Sequence, residues 1–342
     1  MIGIEEVKIR NLIYHYISME GNALRLSDES YIPEGEEELE VLKKIFLKPF
    51  VSSFTTYEFK HEINLELNPL FKLAQSIEAG EDFTAKSKDI VQHLKSVSKH
   101  PNIKHGDLFV MKLDNVKIGD KLHQALAIYK IENKESFIET DVYDSNVSGL
   151  SFKKGIGSKR PDKACLILFT PEPYTVLIID NTSAETDYWQ NEFLKVNLKK
   201  DDINSTSHFL SLAKTYVTEK FSSDFEVTKA DQIDLLNRSV DYFKTHATFD
   251  KQEFEKEVFQ EIGIIRSFQN FDSEYRQGND IDVTDNFAIS PEAVKKQARI
   301  FKSVLKLDKN FHIYIHGNRD LIEQGVDEKG RKYYKIYFEQ ES

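Results

Sequence analysis

The chain has 342 residues, with 46 basic against 57 acidic side chains and a net charge of −11. Forty per cent apolar and thirty per cent charged residues exclude a disordered chain, and no apolar run reaches the roughly 18 residues of a membrane span. The single cysteine, Cys165, excludes a disulfide framework and a cysteine-based zinc site, and the acidic balance argues against simple non-specific coating of DNA, an affinity that comes from cations displacing phosphate counterions.

Val7–Ser18, rich in Ile, Tyr and Val, reads as a strand. Glu36–Phe50 reads as a helix, with acids in the first turn and an apolar stripe of Leu39, Leu42, Ile45 and Phe46. Asn68-Pro69 is an N-cap followed by an N1 proline and opens a helix over Leu70–Ala79. Asp82 or Thr84 opens another, carrying Ile90, Val91, Leu94 and Val97 and ending before Pro101. The pattern then turns strand-like over Gly106–Leu113, Leu122–Ile131, Ser136–Tyr143, Ala164–Phe169 and Thr175–Asp180. The short connections between them predict an antiparallel meander. Within it, Cys165 reads as a small buried hydrophobe.

A helix holding Trp189, Phe193 and Leu194 is expected next, and from Asn204 the spacing is again helical. Ser205–Phe221, Lys229–Thr245, Lys251–Ile262 and Pro291–Phe301 carry it, the last behind the start signal Ser290-Pro291-Glu292. Val304–Leu307, Phe311–His316 and Lys332–Phe338 predict a small antiparallel sheet, with Asp327–Gly330 as a hairpin turn. The fold class expected is α+β: an antiparallel β-meander with flanking helices over residues 1–200, then a mainly helical domain over 201–342 ending in a small antiparallel sheet. The start, MIGIEEVKIRN, has no apolar signal core, so a reducing cytoplasm is the expected compartment.

Charge is uneven along the chain. Residues 81–160 hold 14 basic and 11 acidic side chains and form the one positive segment of the four compared. Its densest part is Ser151–Arg160, SFKKGIGSKR, with Lys153, Lys154, Lys159, Arg160, two glycines and no acid. It reads as a flexible basic loop ahead of a buried strand. Its glycines are free to visit φ > 0 and turn N–H groups toward an anion. It is not a Walker A motif, which opens a helix, so phosphate contact is expected there without nucleotide hydrolysis. The ordinary alternative is a solvated connection.

A second basic run spans Lys86–His105 and includes Lys95, Lys99 and Lys104. Such a run is usually the wet face of an amphipathic helix, with a phosphate-binding face as the other reading. A third, Lys295, Lys296, Arg299, Lys302 and Lys306, forms a stripe only if helix continues that far. His312 and His316 share a strand face, without a matching carboxylate or cysteine nearby. Asp180-Asn181 suits a metal or a helix cap, capping being the simpler reading. No GxSxG, HExxH or DxDxDG spacing is present. No catalytic, cofactor-binding or metal-ligating residue is therefore assigned.

Three stretches, HGDLFVMKLDN (105–115), LAIYKIENKESFI (126–138) and SFKKGIGSKRPDKACLIL (151–168), together with IIDNTSAETDYWQNEFL (178–194), resemble the bacterial nucleoid-associated protein family of the NdpA type, in its Bacteroidetes-like members. The resemblance implies a non-enzymatic cytoplasmic protein of the nucleoid, with DNA association its usual description and no cofactor. It leaves two readings of the partner. In one, Lys153, Lys154, Lys159 and Arg160, joined by Lys95, Lys99 and Lys104, touch DNA phosphates as local patches. In the other, an acidic interaction protein is recruited to the nucleoid by a DNA-handling enzyme. A homodimer formed by edge pairing is left open.

Overall fold

The computed structural model describes residues 2–19, 24–53, 55–143, 147–181, 188–279, 283–299, 301, 304–315 and 321–340. Lys302 and His316 lie outside the described residues. The chain divides into two compact units, Met1–Lys199 and Lys200–Ser342.

The first unit is built from β1 (Ile2–Gly3), β2 (Lys8–Ile17), β3 (Leu24–Arg25), β4 (Tyr57–Phe59), β5 (Gly106–Ile118), β6 (Lys121–Ile131), β7 (Glu135–Tyr143), β8 (Val147–Gly155), β9 (Lys163–Leu168), β10 (Thr175–Asp180) and β11 (Val196–Leu198). All but β7 and β8 join one antiparallel sheet, in the order β11-β4-β10-β9-β6-β5-β2-β3, with β1 paired to β5. The meander β5-β6-β9-β10 is at its centre. The β7–β8 hairpin leaves it after β6 and returns before β9, pairing only with itself.

Helices cover both faces of this sheet, which explains the unbroken apolar run Ala164–Leu168 in β9, a strand all six of whose residues are buried. Alternate side chains serve two cores. Leu126, Ile128, Cys165 and Ile167 face α3 (Pro69–Glu78), α4 (Phe83–Val97) and the π-helical turn Tyr188–Leu194 with its buried Trp189. Ala125, Ala127, Tyr129, Leu166 and Leu168 face the other helical layer, where Phe46, Leu47 and Phe50 pack. That layer is α1 (Glu36–Leu42), a π-helical segment Lys43–Leu47 and α2 (Lys48–Val51). The Tyr129 hydroxyl donates to the Phe46 carbonyl, giving this fully buried phenol its polar partner. Full burial of each such large side chain contributes about 1.5–3 kcal/mol.

Asn68 links three segments. Its Oδ1 accepts from the N–H groups of Leu70 and Phe71 at 3.1 Å each, closing the first turn of α3. Its Nδ2 lies 3.0–3.2 Å from the carbonyls of Lys60, Leu194 and Lys195, and the side chain is fully buried.

The second unit holds α5 (Asp202–Thr215), a π segment Tyr216–Lys220, α6 (Phe221–Asp224), α7 (Lys229–Thr245), α8 (Lys251–Phe254), a π segment Glu255–Phe259, α9 (Ile262–Asn279) and α10 (Pro291–Gln297). Its core is a cluster of phenylalanines, Phe209, Phe243, Phe249, Phe254, Phe259 and Phe268 among them, with neighbouring ring centroids as close as 4.1 Å. A capping box between Thr228 and Asp231 opens α7. Helix α9 is absent from the sequence reading. It starts at Ile262-Gly263 behind Gln260-Glu261, with no Ser, Thr, Asp, Asn or proline at its start, so its apolar spacing had no start signal. The expected terminal sheet is two separate hairpins, β14 (Val304–Leu307) with β15 (Phe311–Tyr314), and β16 (Ile322–Val326) with β17 (Lys332–Ile336). Between α7 and α10, β12 (Thr248–Asp250) pairs with β13 (Asn286–Ala288).

Substituting Asn68→Ala removes a helix cap and strands buried carbonyls, an expected loss of about 2–3 kcal/mol. Urea unfolding measures it. Asn68→Ser, which keeps a capping oxygen without placing a charge against the three carbonyls, is expected to recover part of the loss. A cost below about 0.5 kcal/mol for the alanine would contradict this role.

Candidate nucleic-acid interface

The two N-terminal basic runs meet at one end of the large sheet. Ile17, the last residue of β2, faces Gly106, the first of β5. Asp107 faces Ile131 at the end of β6, Lys130 faces Lys163 at the start of β9, and Lys163 faces Asp180 at the end of β10. Lys95 reaches this end from α4, its Nζ 2.7 Å from the Ser18 carbonyl. Lys99 lies on the connection from α4 into β5, and the carbonyl of Lys104 accepts from Lys130 Nζ at 2.7 Å. Segment 156–162, carrying Lys159 and Arg160, returns the hairpin to the start of β9. Gly106 has no room for a side chain, because a Cβ would sit 2.6 Å from the Ile131 oxygen.

Buried charge pins this sheet end. Lys130, with a fully buried side chain, pairs with Glu132 at 2.6 Å and lies 3.1 Å from the Tyr188 hydroxyl. Beside it, Lys163 donates to both oxygens of Asp180 at 2.8 Å. Both ammonium groups lie near the Tyr188 ring, at 5.5 and 5.0 Å from its centroid. Burial holds the Lys130 ammonium below the ordinary lysine range, with Glu132 acting in the opposite direction, and burial pushes the Tyr188 phenol up. These cations are structural and closed to a phosphate. Asp180 is thereby an ion-pair partner for Lys163, while the Asn181 amide donates to the Pro161 carbonyl at 2.6 Å. Residues 182–187, where a helix capped by this pair would begin, lie outside the described residues.

The stretch Ser151–Arg160 differs from the flexible loop expected. Ser151–Gly155 belong to strand β8. Neither Gly155 nor Gly157 has a positive φ. Each instead allows a close approach: a Cβ on Gly155 would meet the Phe137 ring at 2.8 Å, and one on Gly157 the Glu135 carboxylate at 3.0 Å. Nearby carboxylates also accept from backbone N–H groups here. Glu135 Oε1 accepts from the Lys159 N–H at 2.9 Å. Asp162 accepts from the N–H groups of Glu132 and Asn133 at 2.8 and 3.1 Å. The cavity beneath, lined by Gly155, Gly157, Lys159 and Asp162, is about 20 Å³, room for one water molecule and not for a phosphate. An anion here must be met by exposed side chains and not by a backbone cradle.

Carboxylates sort those side chains. Lys153 pairs with Glu139 across the hairpin. Lys86 pairs with Glu81 at 2.9 Å and Lys88 with Asp28 at 2.5 Å. Lys99, Lys104, Lys154, Lys159 and Arg160 are exposed, and among the described residues no ion pair is formed by any of the five. The third basic run does not form a stripe. Helix α10 stops at Gln297, and Lys306 sits on β14 opposite His312. Both line a groove of about 630 Å³ with Asn237, Asp241, Lys244 and Tyr314.

Strand β8 was hidden in the sequence by its glycines and lysines. Its register places Lys154 opposite Ser136, Phe152 opposite Ile138 and Leu150 opposite Thr140. Cross-strand partners share a face and successive pairs alternate, so these three pairs lie together. Ile138, Leu150 and Phe152 are 56%, 64% and 79% exposed. An apolar ridge thus runs along the hairpin beside Lys154. The alternation of Leu150 and Phe152 with polar residues was the available signal.

Helix α4 is held on the sheet by a neutral histidine. His15 Nδ1 accepts from the Ser27 N–H at 3.2 Å, so Nε2 donates to Ser87 Oγ at 3.0 Å, and that hydroxyl donates to the Thr84 carbonyl at 2.8 Å. Burial, aided by Lys88, lowers the His15 pKa from 6.5 to about 4. Below pH 6.5 the unfolded chain takes up a proton that the folded chain refuses until about pH 4, so stability falls as pH falls through that window. Denaturant unfolding at pH 7 and pH 4.5 is expected to show a loss about 2–3 kcal/mol larger in the wild type than in His15→Gln. Equal losses would show that His15 does not titrate there.

No helix among the described residues is long and apolar enough to cross a membrane. No curated protein matches the chain. The family model described as nucleoid-associated protein YejK matches residues 13–330, and with nearly the whole chain so covered, this protein belongs to that family of nucleoid-associated proteins.

Proposed function

We propose that the protein serves at the nucleoid without catalysing a reaction, contacting duplex DNA directly through the cationic end of its large sheet. Lys154, Lys159 and Arg160 at the root of the hairpin are the principal phosphate contacts, with Lys99 and Lys104 beside them. The observation that carries this reading is selective neutralisation. In a chain with eleven more acids than bases, five exposed cations at one sheet end have no carboxylate partner among the described residues. Lys95 is a weaker contact, because its ammonium already serves the Ser18 carbonyl, and Lys153 is weaker still, being paired with Glu139. Few cations in an acidic molecule give modest, strongly salt-dependent affinity.

One feature favours the second reading, recruitment by a DNA-handling enzyme. Helix α1 has Glu36, Glu37 and Glu38 in its first turn, and none of its residues is buried. Such a helix suits a basic partner surface.

Fluorescence anisotropy with a labelled duplex across 50–200 mM salt separates the two. The triple variant Lys154→Ala, Lys159→Ala, Arg160→Ala is expected to bind more weakly and to flatten the slope of log K against log salt by about 2–3, near 0.9 per lost phosphate contact. Lys153→Ala alone is expected to leave the slope within about 0.5. Equal binding by wild type and triple variant would overturn contact through this sheet end, and none by either would overturn direct contact altogether. A pull-down of a DNA-handling enzyme that is lost when Glu36, Glu37 and Glu38 become Gln would then favour recruitment.

A further inference from the structure

We propose that His246, Glu253 and Glu257, in the second unit, form a binding site for one first-row divalent cation, with zinc the best fit. His246 caps the C-terminal end of α7, while Glu253 in α8 and Glu257 in the π segment after it project toward it from one helical side. One ligand atom from each of the three side chains lies within 4.8 Å of the other two, and His246 Nε2 is 3.7 Å from Glu257 Oε2. Zinc bound to an imidazole nitrogen and carboxylate oxygens at about 2.0–2.2 Å sets tetrahedral ligand atoms about 3.4 Å apart. Small rotations of two exposed glutamates close the difference.

Surrounding contacts already orient the donors. His246 Nδ1 lies 3.0 Å from the Tyr242 carbonyl and 3.1 Å from Thr245 Oγ1. The carbonyl can only accept, so Nδ1 carries the proton and the Nε2 lone pair faces the glutamates, the arrangement found for metal-bound histidines. The ring stacks on Tyr242 at 4.1 Å and 16°. The Tyr242 hydroxyl donates to Glu253 Oε2 at 2.9 Å, leaving the other carboxylate oxygen for a ligand. Among the described residues, no lysine or arginine pairs with Glu253 or Glu257. Two carboxylates therefore converge on the imidazole with no lysine or arginine partner among the described residues.

An imidazole and two carboxylates suit zinc or manganese better than magnesium, which prefers oxygen ligands and retains its waters. Three protein ligands leave one position for water, and the bound ion would tie the end of α7 to the following helix. The sequence pattern concealed this site because its members are 7 and 4 residues apart across a helix, a turn and a short strand, matching no metal motif.

The test is calorimetric titration of the metal-free full chain with zinc chloride and with magnesium chloride, together with thermal melts. The expected result is one zinc ion per chain at pH 7.5 and a rise in Tm of about 3 °C or more at saturation. Magnesium is expected to produce no such rise. His246→Asn, whose amide can keep the cap on the Tyr242 carbonyl, and Glu257→Gln, at an exposed position, are each expected to weaken zinc at least tenfold while leaving the metal-free Tm near the wild-type value. Absence of zinc uptake, or uptake equal in wild type and both variants, would overturn the proposal.

Discussion

The chain's own carboxylates outnumber its cations and reach many of them first, and this competition shapes the end of the large sheet. Glu132 and Asp180 balance the buried Lys130 and Lys163 that pin the sheet end. Glu139 neutralises Lys153, Glu135 accepts from the Lys159 N–H, and Asp162 from those of Glu132 and Asn133. What remains positive is a small set of exposed side chains at one place. Local selection of this kind lets an acidic protein present a cationic surface without the general DNA affinity of a basic one.

The architecture that holds this surface is packed on both faces, whereas the hairpin pairs only with itself. Helices on both faces of the sheet turn β9 into a strand buried throughout, and Asn68 joins helix start, strand end and π-helical turn through one side chain. The β7–β8 hairpin departs from that frame with no sheet neighbour. A lone two-stranded hairpin has little stability of its own, yet this one exposes Ile138, Leu150 and Phe152 in a row. Its unpaired cations sit at its root, near the packed sheet.

The sequence made the strong elements legible and the weak ones silent. The meander, the capped starts at Asn68, Asp82 and Ser290, and the full extent of α7 at Lys229–Thr245 all follow from periodicity and caps. Strands β4 and β11 have three residues each, too few to show a period of two, and α9 begins without a start signal. At the site, the sequence named the seven cations but could not see which of them a distant carboxylate neutralises. Glu139 is fourteen residues from Lys153 and meets it only through the hairpin register. For the same reason Gly155 and Gly157 suggested backbone freedom, when their function is to admit Phe137 and Glu135.

The central claim is that DNA touches one end of the large sheet. Hydrogen–deuterium exchange of the full chain, with and without a saturating duplex at low salt, addresses it most directly. Protection concentrated over residues 99–106 and 147–163, with α1 unchanged, is the predicted result. Unchanged exchange over both stretches at saturation, with DNA bound elsewhere or not at all, would contradict it.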